Sequence, residues 1–341
     1  MKNILEKAKT KHILDKEEIV SLLSLNDASL LFNVADEVRK KYVGDEVHLR
    51  ALIEFSNICK CNCFYCGLRS ENKNIERFRL SKNEILFSVK KAYELGYRTV
   101  VLQSGEDAYY NIDYLTEIVT EIKKYDIALT LSIGECSTQE YKILKECGVD
   151  RFLLRIETTD RNLYEKMHPN MSFDNRLRCL KDLKNFGYQT GTGVLVGLPE
   201  QTLESLANDI LFFKKLDADM IGIGPLIIHP QTPLKCYENG SFDLALKVMA
   251  ITRLLLPDIN IPATTAMETI KKDGQLIALQ AGANVIMPSF SGCENSKKYE
   301  IYPNKSFVDA NDLVSRENIE KKINSIGRKI SKDYGHRVNK F

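Results

Sequence analysis

Between residues 48 and 290 the sequence alternates, and that alternation limits the folds open to it. Eight apolar, β-branched runs recur: HLRALIEFS (48–56), RTVVLQS (98–104), ALTLSI (128–133), RFLLRIE (151–157), QTGTGVLVG (189–197), MIGIGPLI (220–227), NIPATTAM (260–267) and NVIMPSF (284–290). Seven amphipathic helical stretches lie between them, among them KNEILFSVKKAYELG and TLESLANDILFFKKL. Several end in glycine, as helix C-termini often do. Eight strands separated by helices predict an α/β fold, a complete (β/α)8 TIM-type barrel. An open doubly wound sheet would want a glycine-rich dinucleotide loop after one strand, and none is evident.

Residues 1–47 predict an N-terminal helical layer. DKEEIVSLLSL opens on an acidic turn, and DASLLFNVADEVRKKYVG offers Asp27 as a cap and Gly44 as a stop. Residues 291–341 predict a C-terminal extension packing on the barrel, with a helix over DLVSRENIEKKINSIG and a lysine-rich tail in solvent. No linker divides the chain, so 48–290 reads as one catalytic barrel. The hydrophobic share of 44% allows a large core, and a formal charge of +2 argues against nucleic-acid binding. The N-terminus lacks the apolar run and cleavage site of a signal peptide, and no apolar run approaches a membrane span. A cytoplasmic protein with no membrane partner is expected. Nine cysteines, an odd number, fit a reduced protein better than a disulfide framework.

In a barrel of this type the chemistry sits at the C-terminal ends of the strands. The loop after the first strand reads CKCNCFYCGLR (59–69), and Cys59, Cys63 and Cys66 have the spacing C-x3-C-x2-C. Three thiolates on a short loop can hold three corners of a 4Fe–4S cluster and leave one iron open. Cys61 breaks the pattern and is not expected to be a ligand. Structural zinc would want four ligands, typically in two pairs, and this loop has no histidine. Strand periodicity puts Arg155 and Glu157 on one face, and an inward charged pair is costly to bury idle. Thr130 and Ser132 share a face, and Thr264 and Thr265 lie on the predicted seventh strand. Inward hydroxyls suggest a polar chamber rather than apolar filling.

CKCNCFYC resembles the C-x3-C-x-aromatic-C signature of the radical S-adenosylmethionine (SAM) enzymes, with Tyr65 in the aromatic place. EFSNICKCNCFYCGLR, RFRLS, VVLQSGED, LTLSIGE, GVLVGLPEQT, MIGIGPLIIHPQTPL, NIPATTAM and AGANVIMP together are similar to the FeFe-hydrogenase maturases of the HydE type. Biotin synthase and methylornithine synthase are similar at a greater distance. The resemblance implies reductive cleavage of SAM to a 5′-deoxyadenosyl radical that acts on a small iron–CO–CN–cysteine complex. It further implies transient contacts with other maturases and an external electron donor. By the same resemblance Glu157 and Arg176 hold polar groups of SAM, Gln103, Ser104 and Glu106 match the segment that accepts its amino group, and Met220 and Tyr302 line the substrate chamber. The extension IYPNKSFVDANDLVSRENIEKKI has no cysteine, so no second cluster is expected. The family often has His where this chain has Ile156. The rival readings are a radical mutase or sulfur-insertion enzyme acting on an organic metabolite, and a zinc-holding scaffold. Sulfur insertion would require an auxiliary cluster, and no second ligand set is clustered in the sequence.

Overall fold

Arg50 divides the first predicted strand into β1 (Glu46–Leu49) and β2 (Ala51–Ser56). The computed structural model describes residues 1–306 and 312–338. β3 (Thr99–Ser104), β4 (Ala128–Ser132), β5 (Arg151–Leu153), β6 (Gln189–Val196) and β7 (Met220–Pro225) follow. β2 to β7 form a six-stranded parallel sheet in chain order, with helices as crossovers, the pattern of a TIM-like α/β fold. β8 (Val285–Ile286) and β9 (Lys329–Ile330) both pair in parallel with β1. Val100, Leu102, Leu129, Leu131, Ile221 and Ile223 are wholly buried on one face of the sheet. The alternate positions, Gln103, Thr130, Ser132, Arg151 and Met220, therefore face the other side.

Several helices start on side chains suited to the task. Asp15, Ser81 and Ser137 each accept an N–H three residues on, and Glu18, Glu84 and Glu140 return the bond. The N-terminal helices Lys16–Leu23 and Ser29–Val43 pack on Leu203–Leu216 and Phe242–Leu255. Asp27 accepts the N–H of Ser29, and Gly44 ends the helix at φ 73. No helix among the described residues is long and apolar enough to cross a membrane.

Two predicted strands are corrected. The run 260–267 is not a strand: Asn260, Pro262 and Ala263 make only isolated parallel bridges, to Met220, Val285 and Ile223. Pro262 has no N–H for a ladder, and Thr264 is the N-terminal cap position of the helix Thr265–Ile270. Thr264 and Thr265 thus stand at a helix start. The run 151–157 pairs regularly only as far as Leu153. Leu153 lies opposite Gly191 and Glu157 opposite Val194, so this side carries one extra residue. Glu157 takes φ 63, and Thr192 Oγ1 accepts the N–H of Ile156 at 3.1 Å. Such a bulge re-aims side chains and is common beside active sites.

Of the tail predicted to be solvated, residues 327–338 are built into the sheet's N-terminal end, and 339–340 lie outside the described residues. Tyr334 O accepts from Thr99 Oγ1 at 2.7 Å and Arg151 Nη2 at 2.6 Å. Gly335 O accepts from Arg50 Nη2 and Asn260 Nδ2, both at 3.1 Å. Lys332 faces solvent, but Arg328 is 5% exposed and donates to four carbonyls, those of Asp45, Glu46, Leu279 and Ala283. Arg337 meets Asp258 at 2.9 Å, with side-chain exposures of 6% and 2%. Arg337→Met leaves that carboxylate buried and unpaired. It is expected to lower the unfolding free energy by about 3 kcal/mol, read as a lower denaturant midpoint at unchanged slope.

Candidate active site at the strand ends

The loop after β2 carries four cysteines, and its backbone is held from outside. Arg77 Nη1 donates to the carbonyls of Asn57 and Leu68 at 2.5 and 2.9 Å. Its Nη2 donates to those of Arg69 and Asn72 at 2.9 and 3.0 Å. Neighbouring segments close on the loop: Phe64 N–H bonds Met167 O at 2.9 Å, Gly67 N–H bonds Ile301 O at 2.9 Å, and Lys60 N–H bonds Glu106 O at 3.0 Å. Two glycines permit this approach. A Cβ on Gly67 would stand 2.1 Å from Glu300 O, and one on Gly105 would stand 2.3 Å from Ile58 O. His229 is 2% exposed, its ring against Gly67.

All four loop thiols are free and partly buried. A hydrogen bond from Cys61 pulls Cys59 down to about 7, while the same bond pushes Cys61 up. Burial pushes Cys63 up to about 12 and raises Cys66 as well. Thiols bind metal once deprotonated, and a bound cation reverses such shifts. The donors are sulfur alone, which suits an iron–sulfur cluster or zinc. Among the described residues no three His, Cys, Asp or Glu side chains converge on a single ion. A cubane sets its irons at separate corners and takes thiols that are spread. The loop's all-sulfur donor set fits such a cluster.

Two charged pairs stand beside the loop. Arg155 Nη2 lies 3.0 Å from Glu157 Oε2, and burial raises Glu157 while Arg155 and Arg176 oppose it. Arg176 Nε donates to Glu135 Oε1 at 2.7 Å, its Nη1 donates to the Arg155 carbonyl, and its guanidinium lies 5.7 Å from the Tyr164 ring centroid. Arg155 and Glu157 do meet, but through the bulge and not through strand periodicity. Glu106 spans the gap: its Oε1 accepts the N–H of Glu135 at 3.0 Å, Lys60 Nζ lies 3.4 Å from its Oε2, and its own N–H points at Cys59 Sγ at 3.4 Å. Ser104 Oγ donates to Gly105 O at 2.7 Å, a turn contact, and Gln103 stands level with Glu54 and Ser132. Tyr65 is tethered to His168: its hydroxyl lies 2.8 Å from Nε2, and Nδ1 lies 2.8 Å from Tyr164 O. That carbonyl can only accept, so Nδ1 carries the proton and Nε2 accepts from Tyr65. A cleft of about 700 Å³ opens here, lined by Lys60, Cys61, Glu106, Glu135, Asn175 and Arg178 among others.

A polar region lies further inside. Arg155 Nη1 is 4.0 Å from where a Cβ on Gly222 would stand, and Thr264 Oγ1 is 3.0 Å from the same point on Gly224. Thr265 Oγ1 and Tyr302 OH are 2.5 Å apart. Burial pushes the Tyr302 phenol up to about 12, with Arg155 and Glu54 among its charged neighbours. The structure thus brings Arg155, Thr264, Thr265 and Tyr302 together. It does not bring Thr130 and Met220 to them. Those two line the layer of Arg50, Arg151, Gln189 and Asn260 above the tail, and Met220 Sδ is 2.8 Å from Arg50 Nη1. Alternation gives the face of a strand residue but not its height along the strand.

Sequence reasoning missed Glu135, Arg77 and His168. Glu135 was within reach, because SIGE ends β4 and Gly134, at φ 86, marks a turn. No local pattern ties His168 to a loop 103 residues away.

The chain matches the Radical SAM superfamily over residues 53–213 and the Biotin and Thiamin Synthesis associated domain over 222–320. It is 49% identical to the FeFe hydrogenase maturase subunit HydE of Thermotoga maritima, over 100% of this chain and 98% of that protein. It is 34% identical to 3-methylornithine synthase of Methanosarcina acetivorans, over 84% of this chain and 82% of that one. The crystal structure of methylornithine synthase (PylB) matches with a TM-score of 0.85 at 27% identity, covering 96% of this chain and 97% of that one.

Burial and the nearby Arg176 hold His168 down from 6.5 to about 3, so it is neutral when folded. The unfolded chain takes up this proton near pH 6.5 and the folded chain only near pH 3. The contribution to stability is therefore full above pH 6.5 and is lost as pH falls towards 3. His168→Gln keeps an acceptor for Tyr65. It is expected to remove up to about 1.4 kcal/mol per pH unit from the fall at pH values well below 6.5 and above 3, measured by denaturant titration of the apoprotein.

Proposed function

Because the chain belongs to the radical SAM superfamily, and within it to the HydE family, we propose that it is a radical SAM enzyme of FeFe-hydrogenase maturation. The observation that carries the reading is one juxtaposition at the strand ends. The four-cysteine loop, the Arg155–Glu157 and Arg176–Glu135 pairs and a polar interior adjoin one another. Cys59, Cys63 and Cys66 would hold a 4Fe–4S cluster. Gln103, Ser104, Glu106, Glu157 and Arg176, with Tyr65 beside them, would hold SAM. When bound there, the reduced cluster would supply one electron to the sulfonium of SAM and so open a C–S bond.

The chain's own part is to bind, orient and exclude water. Arg176 offers a charged donor edge suited to a carboxylate. Glu157 offers an acceptor whose direction the bulge fixes. Arg155, Ser132, Thr264, Thr265 and Tyr302 would wall a chamber for a small iron–CO–CN–cysteine precursor, with Thr130 and Met220 in the layer beneath. Other maturases and an external electron donor would be transient partners. The same reading takes β1 and β2 together as one strand, β3 to β8 and residues 260–263 as a closed eight-stranded barrel spanning 48–290, flanked by the 1–47 layer and the 291–341 extension. Parallel bridges from Met220 to Asn260, Pro262 to Val285 and Leu52 to Ser289 support closure. One cluster per chain is proposed because the five cysteines outside the loop are scattered singly along the sequence.

Single Cys→Ser variants at 59, 63 and 66 are expected to lose the iron–sulfur absorbance and reductive SAM cleavage after reconstitution, whereas Cys61→Ser keeps both. The wild type should hold about four irons; a reproducible second cluster with its own EPR signal would contradict the single-cluster reading. Thr264→Val and Arg155→Leu should keep the cluster and SAM binding yet lower hydrogenase maturation in a reconstituted system by about tenfold or more, the loss of a buried charge-assisted or hydroxyl contact. Normal maturation by both variants would remove the substrate assignment. Rearrangement of a small amino acid, with no effect on hydrogenase, would favour the mutase reading.

A further inference from the structure

One dry ion pair at the strand ends has no part in the reaction proposed above. Glu54 of β2 and Lys305 of the extension meet at 2.6 Å, with side-chain exposures of 2% and 8%. The second carboxylate oxygen accepts from Ser291 Oγ at 2.7 Å and Ser289 Oγ at 2.9 Å, with Ser296 Oγ at 3.4 Å. The Lys305 ammonium also sits 4.9 Å from the Tyr299 ring centroid. A buried pair of this kind gives little stability over a well-packed apolar pair, because desolvation offsets the attraction. Its use is better sought in what it positions.

Lys305 ends a strip, residues 298–306, that crosses the face from the cysteine loop to the helix Thr265–Ile270. Lys298 O accepts from Asn57 Nδ2 at 2.8 Å, and Ile301 O accepts from Gly67 N–H at 2.9 Å. At the far side Tyr302 OH meets Thr265 Oγ1, and Ser306 N–H bonds Thr269 Oγ1 at 2.9 Å. Residues 301–306 are turns and irregular chain without a ladder. Among these contacts the Lys305–Glu54 bond is the one that ties the strip to a sheet strand; the strip's other ion pairs, Lys298–Glu76 at 2.5 Å and Glu300–His229 at 3.9 Å, each have an exposed carboxylate, whereas Lys305 and Glu54 are both buried. Shifting the strip part-way would leave both charges buried and apart, which is strongly unfavourable. The strip is thus driven towards two states: seated with the pair formed, or lifted with both charges in water.

We propose that the Glu54–Lys305 pair is a latch that seats the 298–306 strip over the interior chamber and so fixes Tyr302 beside Thr265 and Arg155. Glu54 and Lys305 are then positioning residues. They keep SAM cleavage coupled to a substrate held in place, a consequence that rests on the function proposed above.

The test uses the reconstituted holoenzyme, the single variants Lys305→Met and Glu54→Gln, and the double variant Glu54→Gln/Lys305→Met, which keeps shape and leaves no lone charge. Two quantities are read: amide hydrogen exchange over 298–306, and 5′-deoxyadenosine formed per iron–carbonyl–cyanide complex consumed with dithionite as reductant. Lys305→Met should keep its iron content, exchange the strip about tenfold faster and form 5′-deoxyadenosine in excess of product. The double variant should lose less protection than the two single changes added together, as coupled groups do. Unchanged exchange in Lys305→Met overturns the latch. So does a lower melting temperature or iron content with the product ratio unaltered, which marks a merely structural pair. Should the wild type consume no iron complex, the proposed reaction fails while the exchange measurement still decides the latch: faster exchange upholds it and unchanged exchange removes it.

Discussion

A loop that must turn its thiols towards a cofactor has few side chains left to hold itself. The cysteine loop is held by a neighbour instead. One guanidinium, that of Arg77, donates to four of its carbonyls. A planar group with five donors is suited to this, and lysine, a single point charge, is not. Everything that approaches the loop relies on that fixed backbone. Gly105 can press against it, and Glu300 against its own Gly67, only because it does not move aside, and Glu106 meets the Cys59 sulfur through its own N–H. The geometry of the cysteine loop is therefore set as much by RFRLS as by the cysteines.

The strand–helix alternation was legible because burial on both faces demands apolar runs of a set length. The cysteine spacing was legible because ligand chemistry is local. Depth was not. Thr130, read with Ser132 as inward-facing, and Met220, placed in the chamber by resemblance, stand a layer below Arg155 and Thr264. Nor was the start of the helix at Thr265 read from NIPATTAM, where a β-branched run conceals a proline and a cap position. The Arg155–Glu157 contact was anticipated for an incomplete reason. Its cause is the extra residue before Glu157, and that depends on Thr192 from the next strand. Long-range partners of this sort, such as His168 for Tyr65 and Lys305 for Glu54, leave no trace in a window of neighbouring residues.

Glu157 shows how such a site stores strain. A non-glycine residue at positive φ is unfavourable on its own. Here the N–H of Glu157 is fixed by Gly193 O at 2.9 Å and its carbonyl by Leu195 N–H at 3.2 Å. The surrounding ladder over-determines the conformation, so the carboxylate keeps its direction without a partner having to arrive first. That is preorganisation in the literal sense: the cost is met on folding and not on binding.

The opposite end of the sheet has a different consequence. Thr99, Arg151, Arg50 and Asn260 end their hydrogen bonds on the backbone of Tyr334 and Gly335. Those two residues leave the ribosome after every strand of the sheet has been made. Until they arrive, two guanidinium groups and two polar side chains at the sheet's edge lack their acceptors. The domain is thus finished by its tail, and a chain released early would carry an open, poorly satisfied end for quality-control proteases to find.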